Sequence, residues 1–381
     1  MTKLKILLNK IIVLVILFLF IFICDIQSFA IDTKNIHIIS ESDGKNLYVG
    51  GSGPNNYTTI QDAIDNASEK DIVFVYKDSS PYYENLIVNK SIYLIGEDSD
   101  TTVIDGNNIS SVVNISADEV IISGFKIQNG DSKISYSAGI IISSNNNKIV
   151  GNIICYNEDG IDIRNSEFNI IIFNTIKLND IDGIFLSGSN NYIIENEIYS
   201  NEHFGIFLLD SNNNIILHNI IDRNGYWGDT IQGGGGIDLD NSSYNTIFEN
   251  NLSRNCLFSI YLVYNSKNNI IERNTISQKS MSVGIELYDS CDNTFVSGNT
   301  ISNNFIGINI NSNNNTIEKN NFYTNVFSTM FSNPNNTWNQ NYWNRPRFLP
   351  KLIFGMVEIN SKWKFYICID KNPAKRPWNL N

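Results

Sequence analysis

Between about Ala138 and Asn325 the chain is written in short apolar runs set off by polar residues at a fixed phase. Gly–Ile pairs mark the phase: Gly139-Ile140, Gly160-Ile161, Gly183-Ile184, Gly205-Ile206, Gly236-Ile237, Gly284-Ile285 and Gly307-Ile308, with Ser259-Ile260 filling the one gap. The first three glycine-to-glycine steps are 21, 23 and 22 residues, and the step from Gly205 to Gly236 is 31, so one repeat carries an insertion. Asparagines keep the same time. One series is Asn147, Asn169, Asn191, Asn214, Asn245, Asn269, Asn293 and Asn315; a second is Asn152, Asn174, Asn196, Asn219, Asn250, Asn274, Asn299 and Asn320. A third, more broken, begins Asn157, Asn179, Asn201, Asn224.

Each run is too short for a helix and rich in β-branched residues. Alternation such as Ile161-Asp162-Ile163-Arg164 puts one side chain in and the next out. Three such runs cannot bury a core alone, but stacked coils can, because each position recurs above itself. The pattern predicts an all-β, right-handed parallel β-helix of the pectin-lyase-like kind, with coils of about 22 residues. Asparagine at the corners suits left-handed backbone and axial side-chain ladders. No run shows a 3.6-residue period over a helical length, and the six-residue period of a left-handed β-helix is absent.

The ends read differently. Lys3, Lys5 and Lys10 precede the apolar run Ile11 to Cys24, and Ser28-Phe29-Ala30 follows, so residues 1–30 read as a signal peptide, with an uncleaved anchor as the alternative. Residues 31–57 are a lead-in segment. Thr58-Thr59-Ile60-Gln61 is a capping-box pattern, and Ile60, Ala63, Ile64 and Ala67 form one apolar helical stripe, so 58–137 holds a capping helix and less regular first coils. Residues 138–325 are the regular repeats. Residues 326–381, rich in proline, aromatics and cations (Arg345, Arg347, Lys351, Lys364), read as a C-terminal cap, or alternatively as a basic contact surface for an envelope polymer.

Composition narrows the partners. Hydrophobic residues make up 42% and charged residues 17%, which excludes a disordered chain. The net charge of −12 repels nucleic acid. Export would leave Cys155, Cys256, Cys291 and Cys368 in an oxidising setting; they contain no CxxC pair, and the sequence does not fix whether they pair. Membrane association is expected only through the N-terminal apolar segment. The sequons at Asn56, Asn114 and Asn241 are a weak sign in so asparagine-rich a chain.

The stretch Tyr48-Val49-Gly50-Gly51-Ser52-Gly53, then Tyr57-Thr58-Thr59-Ile60-Gln61-Asp62-Ala63-Ile64, resembles the opening of NosD-like right-handed β-helix proteins. Tyr83-Glu84-Asn85, Leu94-Ile95-Gly96-Glu97 and Val103-Ile104-Asp105-Gly106 continue it, and the later coils resemble the repeats of the carbohydrate-binding and sugar-hydrolase (CASH) group. The resemblance spans about residues 46 to 325 and is similar to that of archaeal cell-surface proteins. It implies the fold far more firmly than an activity. The NosD name implies copper, yet copper wants histidine, methionine or cysteine, and His37, His203 and His218 show no ligand spacing.

Two after each glycine position lies a column: Ile141, Asp162, Phe185, Phe207, Asp238, Tyr261, Glu286 and Asn309. With apolar residues on both sides of it pointing inward, it should point out. Rings beside carboxylates suit a sugar, whose apolar face stacks on the rings while its hydroxyls donate to the acids. Phe185, Phe207, Tyr261, Asp238 and Glu286, with Trp227 from the insertion (Tyr226, Trp227, Asp229 and Gly233 to Gly236), are therefore the candidate polysaccharide-binding residues. The bland reading is a plain sheet surface stabilised by cross-strand pairs.

Catalysis stays open. Asp238 and Glu286, two coils and so roughly 9.6 Å apart along the stack, lie near the upper limit for an inverting glycosidase pair, with Asp240 alongside. Asp159, Asp162 and Asp182, near Arg164, form a second acidic set that would hold Ca²⁺ if a cofactor is used. The simplest reading of both sets is solvated surface acid. No signature motif of pectate lyases, polygalacturonases or alginate epimerases is present. Three functions remain: a secreted or cell-surface carbohydrate binder, a polysaccharide hydrolase or lyase, and a structural or adhesive envelope protein.

Overall fold

The computed structural model describes residues 44–131, 137–227, 230–231, 233–278, 282–347, 349–359 and 362–379. The expected signal segment and Asp229 lie outside these. The described chain winds into a parallel β-solenoid of about 12 turns with almost no helix. Each regular coil supplies three short strands, as in Lys148–Val150, Ile153–Cys155 and Asp159–Arg164. These join three stacked sheets of 13, 12 and 11 strands, called A, B and C in that order. Pairing within the three sheets is parallel, and equivalent residues meet in register, as Ile149 with Ile171 and Ile154 with Ile176.

The core is a set of axial columns. Ile149, Ile154, Ile161 and Ile163 are all fully buried, and so are their counterparts in the next coil, Ile171, Ile176, Ile184 and Leu186. The recurrent glycine has a steric cause. Ala138 pairs with Asp159 and Ile140 with Ile161, while the glycines between them stand outside the ladder. A Cβ on Gly160 would lie 2.4 Å from the Gly183 carbonyl oxygen and 2.6 Å from the Ile176 methyl. Glycine and the isoleucine after it thus both face inward at this bend, which turns the residue before the glycine, and the residue two after it, outward.

The asparagines that form axial ladders are not themselves left-handed, although at one corner the left-handed residue just before the ladder is also asparagine, as at Asn146, Asn190, Asn213, Asn268 and Asn314. Positive φ falls on the residue before each: Phe173 (57°), Glu195 (51°), His218 (56°), Glu249 (51°) and Arg273 (57°) precede Asn174, Asn196, Asn219, Asn250 and Asn274. The asparagine side chains instead turn inward. In the longest ladder each Nδ2 donates to the Oδ1 of the next coil, from Asn152 to Asn174 (3.2 Å), Asn174 to Asn196 (3.1 Å) and Asn196 to Asn219 (3.0 Å). It continues to Asn341. Each Nδ2 also donates to main-chain carbonyls, as Asn219 does to Ile193 (2.8 Å) and Leu217 (3.1 Å). Burial without loss of hydrogen bonds is what keeps these amides inside.

Both ends are sealed. The helix α1 (Ile60–Asn66) buries Ile60, Ala63 and Ile64; Thr59 accepts from the Asp62 amide at 3.2 Å. Glu84 of the next coil accepts from the Ile60 and Gln61 amides at 2.8 and 2.9 Å, and Lys90 donates to the carbonyls of Ile64, Asp65 and Ala67. At the other end the stack runs past the expected limit at Asn325 to Trp343. Phe331, Trp338 and Trp343 hold the interior places that isoleucine holds elsewhere, which hid these coils from the repeat pattern. A hairpin of Lys351–Ile359 and Lys362–Asp370 then closes the end. Its Asp370, fully buried, accepts from the amide of Asn341 at 3.0 Å and from the Trp343 indole at 3.0 Å, and so ends the longest ladder. Cys155, Cys256, Cys291 and Cys368 are free thiols. Among the described residues no helix is long and apolar enough to cross a membrane.

Candidate functional site

The outward face of sheet C carries the candidate residues. The column two after the glycine is continuous in register: Ile141 beside Asp162, Asp162 beside Phe185, Phe185 beside Phe207, Phe207 beside Asp238, Asp238 beside Tyr261, Tyr261 beside Glu286, and Glu286 beside Asn309. The bend at the glycine places a second column next to it, one residue before the glycine: Asp159, Asp182, Phe204, Gly235 and Phe258. Rings from both columns interlock. Phe185 and Phe207 meet edge to face at 5.6 Å, Phe204 lies 5.5 Å from Phe207, and Phe258 stacks on Tyr261 at 4.5 Å.

The acids are not solvated surface groups, which corrects the simplest expectation. Asp162, Asp238 and Glu286 are 2%, 5% and 4% exposed, and Asp159 and Asp182 are also buried. Phe185, Phe207, Tyr261 and Asp240 are half-buried. Short acids sit low between tall neighbours on a strongly stacked sheet, so an outward direction does not bring exposure. Burial pushes the Asp238 carboxyl up to about 8, with the charges of Asp240 and Asp182 adding to it. Burial likewise pushes Glu286 up to about 7, opposed by Asn309, which donates to both its oxygens at 2.9 and 3.0 Å. Asp159 is raised well above the usual carboxylate range by burial and then by the Asp182 charge. Asp162 is raised by burial, opposed by Arg164, whose Nε donates to it at 2.7 Å. One oxygen each of Asp162 and Asp238 is buried and has no hydrogen-bond partner among the described residues.

The two acidic sets, separate in sequence, share one field, since the Asp182 charge is felt at Asp159, Asp162 and Asp238. Sequence reasoning missed the role of His203. Its Nδ1 lies 3.0 Å from Asp182 Oδ1, which also accepts from the Phe204 amide at 2.8 Å. The signal was present, since His203 precedes Phe204, the residue stacked one coil beyond Asp182. Trp227 lies in a two-residue strand of the insertion, paired with Thr230, and its side chain is outside the described set.

Metal chemistry is not supported by this arrangement. Among the described residues no three His, Cys, Asp or Glu side chains gather to hold a metal. The candidate Ca²⁺ acids are engaged otherwise: Asp159 accepts from the Asp182 amide (2.9 Å), Asp182 from Phe204 and Asp162 from Arg164. His218 stands between Glu195 and Glu249, at 3.8 and 2.5 Å, in a corner ladder that Arg273 extends.

The stacked three-strand coils, with a glycine at most inward bends and amide ladders along the axis, define the chain as a right-handed parallel β-helix. A family model described as "Right handed beta helix region" matches residues 171–322 and 228–346, and one described as "Periplasmic copper-binding protein (NosD)" matches residues 64–233. The chain is a right-handed β-helix protein that is NosD-like over residues 64–233. No curated protein matches it in sequence. Solved structures do match in fold. The Dettilon tailspike protein aligns with TM-score 0.55 at 16% identity, over 84% of this chain and 75% of that one. The mannuronan C-5 epimerase AlgE6 A-module of Azotobacter vinelandii aligns with TM-score 0.52 at 15% identity, over 73% and 92%. The catalytic unit of a GH87 alpha-1,3-glucanase of Streptomyces thermodiastaticus aligns with TM-score 0.54 at 14% identity, over 75% and 65%. These likenesses are of fold.

Proposed function

We propose that this protein binds an extracytoplasmic polysaccharide along the outward face of sheet C. The observation that carries the reading is the unbroken tract from Asp162 to Asn309, in which rings and acids follow one another at a spacing of roughly 4.8 Å. Phe185, Phe207 and Tyr261 offer stacking surfaces for apolar sugar faces. Asp238 and Glu286, neutral or partly so near pH 7, donate as well as accept, which a sugar hydroxyl or carboxylate can use. Relatives in fold named for mannuronan and alpha-1,3-glucan support the substrate class, and the periplasmic description of the NosD family supports the location.

A second reading is favoured by the same two acids. A buried carboxyl that keeps its proton near neutral pH suits a general acid, and Glu286 two coils from Asp238 would be its partner in a hydrolase or lyase. One experiment tests both. The chain is run against immobilised alginate and alpha-1,3-glucan, and the eluates are assayed for new chain ends. The triple change Phe185→Ala, Phe207→Ala and Tyr261→Ala lowers retention at least about tenfold with unchanged far-ultraviolet dichroism. Unchanged retention overturns the binding face. If chain ends appear, Asp238→Asn and Glu286→Gln each remove them; cleavage surviving both changes excludes this pair.

A further inference from the structure

The closing hairpin carries a surface that the sheet C reading does not use. Leu352 pairs with Ile369, Phe354 with Ile367 and Met356 with Phe365, and residues directly opposed across an antiparallel pair share a face. The neighbouring face, with Ile353 and Val357, seals the last coil. The six remain 43–64% exposed, without a polar residue among them, and Phe354 stacks on Phe365 at 5.5 Å. A contiguous apolar patch of this kind marks an interaction surface.

Its surroundings are cationic. Residues 345–381 hold eight Lys or Arg against two Asp or Glu, whereas residues 1–344 hold 19 against 37. Arg345, Arg347 and Lys351 lie close enough to repel one another; burial and that repulsion both lower the proton affinity of Arg347 and Lys351. Among the described residues no acid pairs with them, and the buried Arg347 Nε has no hydrogen-bond partner. Lys351 sits over the Trp343 ring at 5.8 Å.

We infer that the exposed hairpin face is a docking surface for an anionic lipid bilayer, on which the solenoid stands end-on. Six apolar side chains, at the end of the chain that holds its cationic excess, match an interface where apolar groups enter the acyl boundary and nearby lysine or arginine meets the headgroups. A second copy fits poorly, because joining two such faces brings two cationic ends together. A soluble polyanion fits the cations and leaves the six apolar side chains in water. The acidic body is repelled by the same bilayer, which holds the long axis away from it.

Cosedimentation tests this, using the full chain and phosphatidylcholine vesicles with and without phosphatidylglycerol. The comparison is with Phe354→Ser/Met356→Ser/Phe365→Ser, which carries the same N-terminal apolar segment. The original chain should sediment with the anionic vesicles at least about tenfold more strongly than the triple variant. Arg345→Gln/Arg347→Gln should weaken sedimentation at low salt and lose its effect at high salt. Equal sedimentation of original and triple variant overturns the inference. So does a dimer in sedimentation velocity that the triple change abolishes, since a second copy would then be the occupant. Glycan retention reads the sheet C face separately, so neither result decides the other.

Discussion

Two columns run side by side along sheet C, and they differ in kind. The inward one reads Ile161, Ile184, Ile206, Ile237, Ile260, Ile285, Ile308. The outward one, a single residue further on in each strand, reads Asp162, Phe185, Phe207, Asp238, Tyr261, Glu286, Asn309. Both have the same strands, register and main-chain hydrogen bonds. Stacking therefore dictates the first column and leaves the second free. The uniform column is explained by core packing; the varied one, with acids sunk among rings, holds chemistry that packing does not ask for.

The comparison breaks most severely from within. Asn219→Leu removes an amide that accepts from Asn196 and donates to Ile193, Leu217 and Asn250. Several buried groups lose partners at once, so chemical denaturation should show a loss of about 4 kcal/mol. Next comes the outward acid. A carboxyl whose pKa rises on folding binds its proton more tightly in the folded chain, so its contribution to stability is full below about pH 4. For Asp238, facing Asp240, Asp182 and Tyr261, that contribution is lost as pH rises through about 8. Asp238→Asn should then be about 3 kcal/mol more stable than the original chain at pH 9, and little different at pH 4. A stability difference independent of pH would show that Asp238 is ionised throughout. Smallest is Phe207→Ala, half-exposed on the outward side, expected to cost about 1 kcal/mol or less. A cost near that of an interior isoleucine would erase the distinction between the columns.

The repeat was legible because geometry selects glycine and asparagine at fixed places in nearly every coil, Gly160 by the close approach of Ile176 and Gly183, Asn174 by its ladder partners. The phase of the outward column followed from alternation alone. Depth did not, because Asp238 lies between Phe207 and Tyr261 of the neighbouring coils, against which Phe204 and Phe258 pack from the other column. The left-handed corners were only half legible, for a related reason. Asparagine holds positive φ at Asn146, Asn190 and Asn213, but at the next corner its amide is needed inside, and the left-handed position passes to Phe173, Glu195 or His218, whose side chains lie outside. The last coils escaped notice because aromatic residues replaced isoleucine in the interior.

Asp370 gives the molecule a direction. Along the longest ladder every asparagine passes an N–H to the next coil, so each coil is at once acceptor to the one before and donor to the one after. A carboxylate takes what it is handed and has no N–H to hand on. The chain of amides ends there by a rule of valence, as a polymer stops at a terminator unit, and the last coil is left with no unpaired donor of that ladder to offer a further one.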